Sequence, residues 1–335
     1  MRRTNWTKKI TILLATVCVA LVAASAFTPA LAQAWLLQVE GVPVSRATYC
    51  YFLSEALRGT QGKPKDLLAL RRDVMARCVE YVAINSELRA MGVPVDQELK
   101  AQAADRTAFY WQVYGGYYSS IGVDKQTLNA ILTGQAAREQ LFRALYDAQG
   151  TRAAPEEALE AYFYGNYVAY NGVRVFRTVP LDDETEREMT QEEAAALYRV
   201  LAEFVEAANE VQDFFGVAQE ERFAEALSYG MPSITVVQKG HAAGAGEDMS
   251  ADDFEKVRGL APEKISLLDL PGFYLVAMGV NMWDSPEEYY EGYRAECLLA
   301  LKGEEYAGTL RELCKGFRAD ENVGAVEKLY KEWEW

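Results

Sequence analysis

The sequence predicts an α+β fold, in which a mainly helical domain formed by both chain ends carries an inserted small α+β domain. Two observations favour this. Apolar residues follow helical spacing through residues 33–170 and again through 284–335. Between these parts, residues 171–283 contain short β-like runs that alternate with short helices and turns. We therefore expect two domains, 33–170 plus 284–335 and 171–283, after a targeting segment at 1–32.

The first 32 residues are typical of a secretory signal peptide. Basic residues precede the apolar run Ile10–Val22, and Ala30-Leu31-Ala32 supplies a small-x-small cleavage site. Cleavage would place the mature chain outside the cytoplasm, in a compartment without ATP. The alternative is an uncleaved N-terminal anchor, which would be the protein's sole contact with a membrane, although this run is shorter than the roughly 20 residues that span a bilayer.

Composition excludes several classes of protein. The 335-residue chain has a net charge of −15, and 50% of its residues are hydrophobic. That hydrophobic fraction supplies a packed core, so the chain is not globally disordered. Nucleic acid is excluded as a partner because its phosphates require clustered Lys and Arg. The acidic balance favours basic or neutral partners.

Histidine and cysteine usage limits the chemistry. His241 is the only histidine and lies in a glycine-containing loop, so a histidine-based triad or metal site is excluded. The cysteines form no Cys-x-x-Cys pair; they are interpreted either as buried free thiols or as partners in a disulfide that joins the two chain ends. Four of them follow the signal peptide: Cys50, Cys78, Cys297 and Cys314. We expect no cofactor and no metal ion.

Helices fill the first part of the mature chain. Trp35–Val39 is predicted as a short strand, and Ser45 caps the helix Arg46–Arg58. A second helix keeps one apolar stripe from Leu67 onward and ends at Gly92. Three more helices are predicted: one from Asp96 into Phe109–Tyr118, then Leu128–Asp147, then Pro155–Tyr167.

The inserted domain is predicted as strand, helices, strand, helix and hairpin. A capping box at Thr190–Glu193 opens its long helix, Asn209–Glu221 is predicted as a linker, and Ser250 caps a short helix. The predicted strands are Val173–Val179, Ile234–Gln238, Ile265–Leu270 and Phe273–Met278, with a tight turn at Pro271-Gly272. Helix returns after Ser285, and a polar bend at Ala319–Asn322 precedes the last helix.

Four local motifs, in the same order along the chain, resemble those of the secreted foldases of the SurA and PrsA type. Val39–Ser45 is similar to the Val-Asn-Gly-x-x-Ile-Ser motif that follows the signal peptide in that family, and Pro155–Tyr167 to its acidic helix that ends in aromatic residues. Arg222–Ser228 is similar to the parvulin Asp-Phe-x-x-Leu-Ala-x-x-x-Ser. Ile265-Ser266 followed by Gly272-Phe273-Tyr274 is similar to the parvulin Ile-Ser and Gly-Tyr-His.

This resemblance implies an ATP-independent chaperone whose inserted domain is a parvulin-type peptidyl-prolyl isomerase. The two histidines of the parvulin pocket correspond to Arg177 and Tyr274 in this chain. A remnant of the proline pocket would comprise Met231, Phe254 and Phe273. The alternative is that these residues are ordinary core residues. Because isomerisation requires only a site that favours the twisted amide, a reshaped pocket could retain activity. With both histidines replaced, weak or absent activity is expected.

One aromatic run is the candidate surface for binding polypeptides. It comprises Phe109, Tyr110, Trp111, Tyr114, Tyr117 and Tyr118. Aromatic side chains offer large apolar area with a polar rim, which suits varied extended peptides, and Gly115-Gly116 is expected to break the helix there. The alternative is that these residues form the core of the helical domain.

The expected function is therefore that of an extracytoplasmic chaperone or foldase for unfolded or nascent secreted proteins. An active prolyl isomerase with an atypical pocket and a cell-surface protein-binding module are the alternatives. Paired acids such as Glu156-Glu157 and Asp182-Asp183 are interpreted as helix starts and a solvated loop rather than as glycosidase carboxylates. The sequence is compatible with a monomer or a homodimer.

Overall fold

The structure, a computed structural model, describes residues 35–58, 66–181, 185–227, 230–240 and 250–333. The predicted signal peptide, His241 and Asp182-Asp183 lie outside the described residues. The chain divides into two units. Unit 1 comprises Met1–Leu141 with Thr309–Trp335, and unit 2 comprises Phe142–Gly308.

The fold is α+β, as predicted. Its helices are α1 (Arg46–Arg58), α2 (Leu67–Met91), α3 (Gln97–Ser120), α4 (Lys125–Tyr146), α5 (Glu156–Asn166), α6 (Gln191–Val211), α7 (Phe214–Ala218), α8 (Glu221–Ala224), α9 (Ala251–Arg258), α10 (Pro286–Lys315) and α11 (Val323–Glu332). Its strands are β1 (Leu37–Val39), β2 (Val42–Val44), β3 (Tyr167–Phe176), β4 (Thr178–Pro180), β5 (Glu186–Glu188), β6 (Ser233–Gln238), β7 (Ser266–Leu270), β8 (Phe273–Val280) and β9 (Ala319–Glu321). Among the described helices, none combines the length and apolar character needed to cross a bilayer.

The first and last described strands of the chain lie side by side in unit 1. β1 pairs antiparallel with β2 and with β9, and Leu37 lies opposite Glu321. The turn from β1 to β2 has positive φ at both Glu40 (50°) and Gly41 (73°), which is the geometry of a tight two-residue hairpin. Ala319–Asn322, predicted as a polar bend, is largely strand because β1 supplies its hydrogen bonds from far away in the sequence.

Two predicted helices supply much of the core of unit 1. Tyr49 and Leu53 of α1 are fully buried, and α2 buries the predicted stripe through Val74 and Cys78. The side chain of Asp66 caps α2, which ends at Gly92 in the left-handed conformation, as its sequence predicts.

Unit 2 contains a four-stranded antiparallel sheet in the order β6-β3-β8-β7. The predicted order of strand, helices, strand, helix and hairpin is confirmed. The first strand was expected at Val173–Val179, but β3 is Tyr167–Phe176, and Thr178–Pro180 forms a separate hairpin with β5. The difference arises because Tyr167–Gly172 pair with β6 immediately after α5 ends, a contact that no local pattern indicates.

Helices cover both faces of this sheet. On one face, Phe254 of α9 packs against residues of all four strands. On the other face, Phe204 of α6 and Phe223 of α8 pack against Val173 and Val276. The predicted linker Asn209–Glu221 is not open chain, because it contains the end of α6 and α7, whose Phe214 is buried against Phe204.

Gly172 lets β3 and β8 approach each other closely in the middle of the sheet. A Cβ atom at this position would collide with the Ala277 side chain and the Val276 carbonyl oxygen of β8. The position therefore requires a residue without a side chain.

Candidate functional site

The exposed face of α3 is the clearest candidate surface in unit 1. The Asp96 side chain caps this helix by accepting a hydrogen bond from the Leu99 backbone N–H at 3.1 Å. Leu99, Ala103 and Thr107 then recur every four residues and are buried, which fixes the inward face. The exposed large side chains in the C-terminal half of this helix are Phe109, Val113, Tyr114 and Tyr117, which we call the α3 aromatic face.

The six predicted aromatic residues do not all belong to this face. Phe109 is 60% exposed, whereas Tyr110 and Trp111 are partly buried and pack against the core of unit 1. Tyr118 is only 2% exposed, and its ring stacks on Tyr51 with the ring centroids 6.2 Å apart. Burial raises the pKa of the Tyr118 hydroxyl. Tyr118 is thus part of the core, as the alternative interpretation of the aromatic run expected.

α3 runs without a break through Gly115-Gly116, contrary to the expected interruption. Gly115 lies under the Trp111 ring, since a Cβ at that position would be 3.3 Å from the ring. Gly116 has open space around its Cα. The aromatic face is therefore carried on one rigid helix, and its side chains keep the fixed spacing of about one turn.

A groove of about 910 Å³ lies at the C-terminal end of this face, within unit 1. Tyr114 and Tyr117 form one side, and Leu57 of α1 and Trp333 after α11 also line it. Across its rim, Arg46 at the start of α1 makes an ion pair with Glu332 at 3.1 Å. This volume lies at the upper end of the range for binding pockets. The lining combines aromatic and aliphatic side chains with those of Arg46, Ser54, Arg58, Ser120 and Glu332, which suits a peptide with both apolar and polar groups.

Burial limits the reactivity of the thiol that lines the groove. Cys50 lines it, but burial raises the pKa of this thiol to about 11, so it stays protonated at neutral pH. The four cysteines predicted as thiols or disulfide partners are free in the structure. Among the described residues, no cluster of His, Cys, Asp and Glu has the arrangement of a metal site.

In unit 2, the structure brings together Arg177 and Tyr274, the two residues that the sequence resemblance aligns with parvulin histidines. The Arg177 guanidinium lies over the Tyr274 ring, 5.1 Å from its centroid. Arg177 also donates to the Asp269 carboxylate at 2.9 Å and to the Leu270 carbonyl oxygen at 2.6 Å. The Tyr274 hydroxyl donates to the Ala194 carbonyl oxygen at 3.1 Å. Both side chains are therefore held by structural contacts.

The three residues predicted as a remnant proline pocket do not share one cavity. Phe254 and Phe273 are buried in the core on the α9 face of the sheet, and Phe254 has no exposed surface. Met231 is 67% exposed and precedes β6. Tyr274 belongs to the core on the opposite face of the sheet. For Phe254 and Phe273 the structure agrees with the interpretation as ordinary core.

Sequence reasoning missed the part of the groove that comes from the ends of the chain. No local pattern in the sequence indicates that Arg46, Glu332 and Trp333 line a groove, because an ion pair between the first and last helices depends on how unit 1 folds.

The acidic residues at helix starts were interpreted correctly. Glu156 accepts hydrogen bonds from Arg294 and Tyr290, and the side chain of Asp253 accepts from Ser250 and Lys256.

Comparisons with known proteins give a limited picture. No protein-family model matches this chain, and no curated protein matches it. A solved structure with similarity is that of the foldase protein PrsA from Streptococcus pneumoniae str. Canada MDR_19A. The TM-score is 0.39 and the sequence identity 11%, over 73% of this chain and 82% of that chain. With so low an identity and so loose an overlap, the function of this chain has to follow from its own residues.

Proposed function

We propose that the protein is an extracytoplasmic, ATP-independent foldase that holds unfolded secreted polypeptides on the α3 aromatic face and in the adjoining groove. The observation that carries this proposal is the exposure of four large apolar or aromatic side chains, Phe109, Val113, Tyr114 and Tyr117, within nine residues of a continuous helix. Contiguous exposed apolar residues on a globular protein mark an interaction surface. The hydroxyl groups of Tyr114 and Tyr117 add hydrogen-bonding capacity, so varied partners can bind without exact shape complementarity.

An unfolded chain fits this surface better than a small molecule does. From Phe109 to Tyr117 the helix rises about 12 Å, at 1.5 Å per residue, and the groove continues the apolar surface beyond Tyr117. An extended peptide of four or more residues has that length. Such contacts are individually weak and exchange quickly, which is what a holder of unfolded chains without an energy source needs.

The domain assignment belongs to the same proposal. Residues 33–170 plus 284–335 would form the chaperone domain, and 171–283 the parvulin-like domain. We infer weak or absent isomerase activity, because Arg177 and Tyr274 are occupied by contacts to Asp269, Leu270 and Ala194. The signal peptide, secretion and the possible homodimer stay predictions from the sequence.

Suppression of aggregation tests the proposal. The test variant is Phe109→Ser/Tyr114→Ser/Tyr117→Ser. Compared with the wild type, an at least fivefold higher concentration of this variant should be needed to keep denatured citrate synthase from aggregating. The matched control is Val211→Ser/Leu299→Ser/Leu301→Ser, which removes exposed apolar side chains from helices α6 and α10 and should behave like the wild type. Equal protection by the wild type and the α3 variant would show that the face has no part in the activity.

Two further assays separate the alternatives. A protease-coupled prolyl-peptide assay that gives strong acceleration, lost in Tyr274→Ala, would indicate an active isomerase. Binding that requires a native partner and ignores unfolded chains would indicate a cell-surface binding module instead.

A further inference from the structure

The two edges of the unit 2 sheet differ in how their backbone groups are satisfied. β7 forms one edge, and side chains protect both of its ends. The Asn209 side chain donates to the Ile265 carbonyl oxygen at 2.8 Å and accepts from the Ile265 backbone N–H at 2.9 Å. At the other end, Arg177 donates to the Leu270 carbonyl oxygen and pairs with Asp269. A charged, capped edge does not pair readily with another strand.

β6 forms the other edge and has no such protection. Its sequence, Ser-Ile-Thr-Val-Val-Gln, contains no charged residue and is rich in β-branched side chains. Its partner strand is β3, and no hydrogen bond joins β6 to any other described segment. Ile234 is 51% exposed, and Met231 just before the strand is 67% exposed. An uncharged strand with one unpaired side is a template for a further strand.

The distribution of charge favours one kind of occupant. Unit 2 contains 32 of the 49 acidic residues and 13 of the 34 basic residues, so its formal net charge is −19. Unit 1 has 17 acidic and 21 basic residues, and four of these basic residues belong to the predicted signal peptide, so the acidity of the chain resides in unit 2. Two copies that paired through β6 would bring two strongly negative bodies together, and repulsion opposes this. A segment with apolar and basic residues would be attracted instead.

We infer that β6 is a second docking element, which takes an extended apolar segment with basic rather than acidic residues as an added strand. The inference rests on the proposed function, because an unfolded client supplies such segments. Backbone N–H and C=O groups of the client would form hydrogen bonds with the unpaired backbone groups of β6. Because these bonds do not involve side chains, clients of varied sequence can bind. Six residues of β6 span about 20 Å, so a client segment of about six residues is enough.

The test uses the full chain and synthetic peptides. The probe is an acetylated, amidated nine-residue peptide that alternates valine and lysine, and its affinity is measured by fluorescence anisotropy. We expect at least tenfold weaker binding for the same peptide with N-methyl groups on alternate backbone amides, which keeps the side chains but removes edge hydrogen bonds. A valine–glutamate peptide should also bind at least tenfold more weakly.

The matched variants place a lysine on β6 or elsewhere in unit 2. Ile234→Lys adds a charge to the edge and should weaken binding of the valine–lysine peptide at least tenfold. Leu299→Lys adds the same charge at an exposed site on α10 and should leave binding unchanged. Urea unfolding of both variants checks that they fold. Equal affinity of the two variants, or of the N-methylated and unmodified peptides, would overturn the inference.

Amide hydrogen exchange separates this inference from the proposed function. Peptide binding should slow exchange in Ser233–Gln238. Protection confined to α3 would refute docking at β6 and leave the proposed function standing. If exchange slows at β6 but the protein does not suppress aggregation of denatured citrate synthase, docking at β6 is supported and the proposed function is refuted.

Discussion

Arg294 shows how a single residue ties distant parts of unit 2 together. Its guanidinium donates to the Asp147 carboxylate at 2.8 Å and to the Glu156 carboxylate at 2.9 Å. Tyr290 donates to the same Glu156. The arginine on α10 therefore fixes the start of α5 and the segment after α4. The hydrogen bond from Arg294 lowers the pKa of Glu156 despite partial burial.

Replacing Arg294 should destabilise unit 2 in a pH-dependent manner. Arg294→Met should lower the free energy of unfolding by about 1–2 kcal/mol at pH 7, a value reduced because both carboxylates are partly exposed. Partial burial raises the pKa of Asp147, but hydrogen bonds from the Ala148 N–H and Arg294 lower it overall. The measurement is urea unfolding from pH 7 to pH 3.

The sign of the pH dependence follows from these lowered pKa values. Carboxyls whose pKa is lower in the folded state stabilise the fold above their unfolded pKa of about 4, and this contribution is lost as pH falls through the folded pKa. The difference between wild type and Arg294→Met should therefore shrink below about pH 4. Lys264→Met, at an exposed position, is the control and should cost little at any pH. A difference that stays constant down to pH 3 would contradict the role of the two carboxylates.

At the scale of elements, a few side chains protect the β7 edge of the four-stranded sheet in unit 2. The amide of Asn209 matches both the donor and the acceptor of the Ile265 backbone, as a neighbouring strand would. Arg177, which the sequence resemblance aligns with a parvulin histidine, holds the other end of β7.

Removing the Asn209 amide should open the edge at β7. Asn209→Ala leaves the partly buried Ile265 backbone groups without partners and should cost about 1–3 kcal/mol of stability. Urea unfolding measures the effect.

Asn171→Ala, on the central strand β3, is the comparison for Asn209→Ala, and it leaves the β7 edge intact. If Asn209→Ala loses no stability relative to Asn171→Ala and the wild type, the amide does not protect the edge.

At the scale of the whole molecule, the acidic charge and the α3 aromatic face lie in different units. Unit 2 carries the acidic excess of the chain, while the α3 aromatic face and the groove lie in unit 1. The two binding surfaces should therefore respond differently to salt, since screening weakens attraction between charges and leaves apolar contacts largely unaffected.

Ionic strength should distinguish the two surfaces. Raising salt from about 0.05 M to about 0.5 M shortens the Debye length several-fold, so affinity for the valine–lysine peptide should fall about tenfold. Suppression of citrate synthase aggregation, which we assign to the aromatic face, should change less than about twofold. Equal salt dependence of both activities would contradict the division.

The sequence by itself determined the features whose causes are local. Helical spacing and caps predicted α2, α6 and α9, and the capping box at Thr190 and Glu193 is present with its side chain to backbone hydrogen bonds at 2.8 Å and 3.3 Å. The hairpin at Pro271-Gly272 followed from its turn residues, and Gly272 has the expected positive φ of 81°. These elements depend on residues within a few positions of each other.

Only the tertiary structure decided which of these residues are accessible and which backbone groups are free. Tyr118 and Phe109 belong to the same aromatic run of α3, yet Tyr118 packs on Tyr51 while Phe109 faces solvent. β9 is a strand because β1 lies beside it, and β6 is an open edge because nothing in the described chain pairs with its outer side. Burial and strand pairing join residues far apart in the sequence, so no local pattern specifies them.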